Sequence, residues 1–184
     1  MHPVLTRLVV AATSAITLTL AACAQVPATA PVPTAAPASA PAPAPAPAEP
    51  VAKVVYHADF ADPRRFSAML TSINNMVTTY QSDLAEYDVR IVFVAHGIRF
   101  VTTDALKGTP FAEDAELKER RKNLTERLRS LHDTQGVKLE LCGITREQVR
   151  LDPEKLIAGV ELVPSGVVRI AELQHRGFAY IKIE

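Results

Sequence analysis

Val137-Lys138-Leu139-Glu140-Leu141-Cys142-Gly143-Ile144-Thr145 is the stretch that decides the fold. Its first six residues read as a mostly apolar strand. The Gly-Ile-Thr that follows leads into a short helical piece over Thr145 to Arg150. A strand that feeds a helix belongs to a parallel sheet, because parallel neighbours need a crossover and a helix supplies it.

The same alternation extends in both directions. Upstream, Lys53 to Ala58 reads as a buried strand, and Asp62-Pro63 opens a helix. Asp caps free amides there, and Pro suits the first helical position. Phe66, Leu70, Ile73, Val77 and Tyr80 then recur at helical spacing and give one apolar face. Val89 to Ala95 is a second strand, ended by His96-Gly97. Phe100 to Lys107 fits either pattern, and Gly108-Thr109-Pro110 is loop. Glu113 to Gln135 is the longest helix, with Leu117, Leu124, Leu128 and Leu131 as its buried stripe. Glu116 and Arg120 form an i, i+4 pair on it, and Lys118, Arg120, Arg121 and Lys122 belong to a solvated face diluted by acids. Downstream, Asp152-Pro153 to Ala158 is a further helical piece and Val160 to Val163 a fourth strand. Ser165 is expected to cap a helix through Arg176 that stops at Gly177, and Phe178 to Ile183 is the fifth strand. The pattern predicts a three-layer α/β/α domain on a mostly parallel five-stranded sheet, covered on both faces.

The domain is expected to occupy 52–184, where all seven glycines fall. Before it, Ala24 to Pro50 carries nine of the fourteen prolines and a single charge, Glu49. Proline blocks both helix and sheet, so 23–51 is expected to act as a Pro/Ala-rich tether. Residues 1–22 read as a signal peptide: Arg7, then an uncharged apolar run over Leu8 to Leu20 too short for a comfortable span. Leu20-Ala21-Ala22-Cys23 resembles the lipobox of bacterial lipoproteins. The resemblance implies cleavage before Cys23, a lipid on it, and a periplasmic protein held on the membrane by that anchor. Ala24 stands where Asp would signal inner-membrane retention, which points to the outer membrane. Lys plus Arg and Asp plus Glu balance at 20 each, so nothing suggests a nucleic-acid partner.

Ligands of open α/β sheets gather at the carboxyl ends of the strands. His57, His96 and Cys142 fall there and are the candidates. Free helix amides after Cys142 would lower its thiol pKa, while Ile144 beside it would disfavour charge. With Cys23 lipidated, Cys142 is the sole thiol of an exported chain. Two roles stand open for it: a reactive nucleophile, or a small buried residue among Leu139 and Leu141. His57 and His96 are ligand-edge candidates that equally suit strand-end packing, and a metal site of the three would need convergent side chains. No metal or cofactor is expected. Ser67 and Ser165 sit in no triad pattern, and no Gly-rich phosphate loop, G-x-S-x-G or CxxC occurs.

From Lys53 to Glu184 the chain resembles the DsrE/DsrF-like family of sulfur-relay proteins, in its exported single-domain branch. The matching segments include Val54-Val55-Tyr56-His57, Ile73-Asn74-Asn75, Val92 to Gly97, Gly136 to Cys142, Val163 to Val167 and Leu173 to Tyr180. The resemblance implies a parallel five-stranded three-layer sheet and a homo-oligomer. It also implies a cysteine, here Cys142, that passes a persulfide between a donor and an acceptor protein. Members of that branch often follow the cysteine with Asn-Thr; this chain keeps Thr145 and has Ile144 in place of Asn. The function expected is thus a membrane-tethered carrier of sulfane sulfur, at most a transferase. A non-catalytic binding or assembly module with a buried cysteine is the alternative.

Overall fold

The computed structural model describes residues 50–184. The expectations for the signal peptide, Cys23 and most of the tether lie outside the described residues. Strands β1 (Ala52–Ala58), β2 (Tyr87–Phe93), β3 (Lys138–Cys142), β4 (Val160–Val163) and β5 (Ala179–Ile181) form one sheet. Their order is β4-β3-β2-β1-β5 and every neighbouring pair is parallel. The helices are α1 (Pro63–Ser82), α2 (Ala115–Asp133), α3 (Gly143–Gln148) and α4 (Gly166–His175).

The strand order explains the layers. From β1 to β3 the chain steps one way across the sheet, and right-handed crossovers put α1 and α2 on one face. After β4 it returns across the sheet to pair β5 with the free edge of β1, and the same handedness puts α4 on the other face. Val54, Tyr56, Ile91, Phe93, Leu139 and Leu141 point to α1 and α2 and meet Phe66, Ile73, Leu124 and Leu128 in the larger core. Val55 and Val92 point the other way, onto Ile170, Leu173 and Phe178.

Local signals behave as the residues dictate. Asp62 accepts hydrogen bonds from the Arg64 and Arg65 amides, with Pro63 opening α1. Arg120 meets Glu116 at 3.2 Å. Arg121 departs from the solvated face expected for it. It reaches Glu113 and donates to the carbonyls of Arg99 and Thr102, tying α2 to the loop after β2. That loop starts as a 3-10 helix, Ala95–Phe100, at the His96-Gly97 end expected for the second strand. Asp152-Pro153 opens only one 3-10 turn, Pro153–Lys155. Ser165 stands at the N-cap of α4 but makes no side-chain capping bond. The helix after β3 starts at Gly143 rather than Thr145, so that Cys142 itself is its N-cap.

Candidate functional site

Alternation along β3 sends Leu139 and Leu141 to the α1/α2 core and leaves Glu140 and Cys142 on the α4 face. Cys142 is 4% exposed. Its sulfur lies where two helices begin. Cys142 is the N-cap of α3 but makes no side-chain capping bond, and Gly166 at the start of α4 lies against its Cβ. Burial pushes the thiol up, but the Gly166, Thr145 and Ile144 donors outweigh it and hold the thiol below its ordinary range.

Two glycines let the backbones come this close. A Cβ on Gly166 would lie 2.6 Å from Val94 Cγ2 and 3.0 Å from Cys142 Cβ. A Cβ on Gly143 would lie 3.1 Å from the Val163 carbonyl oxygen. Ile144 does not crowd the sulfur as the sequence suggests. It is 60% exposed. Thr145 supplies the polar side chain instead; it is buried, and its oxygen accepts the Ala95 amide at 3.0 Å.

One pleat behind Cys142, the Glu140 carboxylate is fully buried. Burial alone would favour its neutral form, but bonds from Arg169 and Arg90 hold its pKa below the usual value. Arg90 also takes Asp88, and the Arg90 guanidinium lies 5.3 Å from the centre of the Phe178 ring. This ion cluster fixes α4 against β2 and β3. Near the starts of α3 and α4 the apolar Ile144, Val167 and Val168 are exposed. Val163, Pro164, Ser165, Val168, Arg169 and Glu172 line a shallow groove at the start of α4.

His57 shares the α4 face but stands on β1, with β2 between it and β3. Its Nδ1 is 2.9 Å from the Tyr180 hydroxyl, and its Nε2 is 3.9 Å from Asp59. Burial lowers its pKa, opposed by Asp59 and aided by Lys182. His96 sits in the 3-10 helix after β2, edge-on to Phe111 at 5.0 Å between ring centres. Among the described residues, no group of three or more His, Cys, Asp or Glu side chains is arranged to hold a metal ion. Sequence reasoning missed Gly166 as a neighbour of the sulfur. The Pro164-Ser165-Gly166 helix start was readable, but not which strand end it would cover.

The family model described as DsrE/DsrF-like matches residues 51–183. A protein of unknown function from Methanobacterium thermoautotrophicum is similar in structure, with a TM-score of 0.54 and 25% identity. That match covers 71% of this chain and 98% of the other. The ychN protein from E. coli aligns with a TM-score of 0.48 and 18% identity, over 72% of this chain and 100% of its own. No curated protein matches the sequence.

Proposed function

The chain belongs to the DsrE/DsrF-like family, and from that premise we propose that it carries sulfane sulfur on Cys142. The observation that supports this most is the place of Cys142 at the carboxyl end of β3, as N-cap of α3 and against Gly166 at the start of α4. Nearby amides hold the thiol below its ordinary range despite its burial and favour the thiolate, the nucleophile of sulfur chemistry. The step needs no outside oxidant. The Cys142 thiolate attacks the terminal sulfur of a donor persulfide, R–S–SH. The donor's S–S bond breaks, a new S–S bond forms on Cys142, and the electron pair leaves on R–S⁻. An acceptor thiolate then removes the terminal sulfur in the same way and restores the Cys142 thiolate.

The setting we propose is export, with the mature chain starting at a lipidated Cys23 and tethered to the outer membrane on the periplasmic side. The domain works there as a homo-oligomer, with a sulfur donor or acceptor protein as partner. Cys23→Ser should leave the precursor uncut and unlipidated; normal maturation of that variant would remove the anchor from the reading. Light scattering reads the oligomer, and a monomer at high micromolar concentration would remove it.

A second reading is a non-catalytic assembly module, favoured by the burial of Cys142. One experiment separates the two. Folded protein is incubated with polysulfide and weighed by mass spectrometry. Added sulfur on wild type and none on Cys142→Ser supports the carrier. No uptake, with alkylation only after denaturation, supports the module.

A further inference from the structure

We propose that Asp59 is a pH-operated latch on the C-terminal segment: it holds Lys182 while His57 is neutral, and turns to His57 when that ring takes a proton. β5 covers the edge of β1 by three paired positions only, Val54 with Ala179, Val55 with Tyr180 and Tyr56 with Ile181. Beyond them, side chains hold the last three residues. Lys182 Nζ donates to Asp59 Oδ2 at 3.0 Å. Arg65 of α1 donates to the Ile183 carbonyl and meets Glu184 at 3.0 Å.

His57 stands beside this tie. Its Nδ1 is 2.9 Å from the Tyr180 hydroxyl, while its Nε2 is buried with no hydrogen-bond partner. A neutral ring leaves one uncharged nitrogen unpaired there. A charged ring donates from both nitrogens. The Tyr180 oxygen then accepts from Nδ1, and the buried, charged Nε2–H requires an acceptor of its own. Asp59 Oδ2 faces it at 3.9 Å. Closing that gap draws away the same oxygen that Lys182 uses. Lys182 is the partner more easily released, because its side chain lies partly in solvent and water takes over its charge.

The other elements around His57 leave this exchange to Asp59. On β2 its neighbour in register is Val92. From α4, Ile170 and Leu173 pack on this sheet face, and Arg169 is engaged by Glu140 and Glu172. Glu184 meets Arg65 at 3.0 Å and Lys182 at 4.0 Å. Burial disfavours the imidazolium, so His57 takes its proton below 6.5. Burial would also raise the Asp59 carboxyl, but the bond from Lys182 and the charge of His57 hold it below its ordinary range. Asp59 therefore stays ionised while His57 titrates. A short edge strand that loses one of its ties opens more often.

The test follows amide hydrogen exchange of the full chain by mass spectrometry, from about pH 8 to about pH 4.5, with rates corrected for the intrinsic pH dependence of exchange. The peptide spanning Phe178 to Glu184 reads the latch. Its protection in wild type should fall by about threefold, the size of a partly exposed ion pair, with a midpoint below 6.5. His57→Gln carries no titrating ring and should keep the neutral-pH protection throughout. Lys182→Met has no tie to release and should show the lowered protection at every pH. A flat wild-type profile overturns the proposal. So does a fall that persists in His57→Gln, or one that persists in Lys182→Met, which would mean that acid loosens the segment by another route.

Discussion

Glu140 and Arg169 meet through two parallel bonds, Nε to Oε2 at 2.7 Å and Nη2 to Oε1 at 2.9 Å, with the carboxylate wholly buried. Glu140 is two residues before Cys142 on β3, and Arg169 is three after Gly166 on α4. The pair therefore fixes the start of α4 against β3, beside Cys142.

Arg169→Ala should cost about 2–4 kcal/mol in urea unfolding, because it leaves a buried carboxylate with Arg90 as its remaining arginine partner. The pH dependence carries a sign. Glu140 titrates below its ordinary 4.5 in the fold, so its contribution is fully present above 4.5 and is lost as pH falls through the lower folded value. Arg169→Ala should shrink that acid-side loss. An unchanged urea midpoint would contradict the account.

Gly166→Ala places a methyl against side-chain atoms of Val94 and Cys142, so that Val94 or α4 must shift. The expected loss is about 1–3 kcal/mol by thermal unfolding. Because the Gly166 amide retreats from the sulfur, alkylation of Cys142 should need a higher pH than in wild type. A variant with wild-type melting and reactivity would show that α4 does not bear on the sulfur.

Gly97→Ala is the more severe change. The added Cβ would stand 2.0 Å from the Ala58 carbonyl oxygen, which also accepts the Val94 amide. Backbone cannot yield as a flexible side chain would, so a loss on the order of 3 kcal/mol or more is expected in denaturant titration. A loss near zero would mean the 3-10 helix shifts freely.

His57 titrates below 6.5 because burial disfavours its charged form. The unfolded chain then binds the proton more readily, so stability falls as pH drops from 6.5 through the lower folded value. Imidazole proton NMR should give a midpoint below 6.5, and His57→Gln should flatten the stability profile in that window. A midpoint at or above 6.5 would sink this reading.

Much of the fold could be read from the chain because it rests on local chemistry. The periodic apolar faces of α1 and α2, the Asp62 cap and the apolar runs of β1 to β3 are each set by residues near one another in sequence. Cys142 could likewise be named from its strand and the helix start behind it. Ile144 was misleading because side-chain direction at a helix start depends on what packs there, and here it turns to solvent. Ser165 was misleading for a related reason: a capping residue type stands at the cap position without closing the bond.

The sequence by itself determined the parallel α/β class and the residue types at the strand ends. Periodicity, caps and composition suffice for those. Tertiary structure alone decided the strand order β4-β3-β2-β1-β5 and which side chains share a face. It brought Gly166 to Cys142 across 24 residues and Ala95 to Thr145 across 50. It kept His57 apart from Cys142 by the width of β2. The reason is physical: hydrophobic pattern says which side of an element is buried, but not against which partner. The sulfur's environment is made by chain segments that only the crossovers bring together.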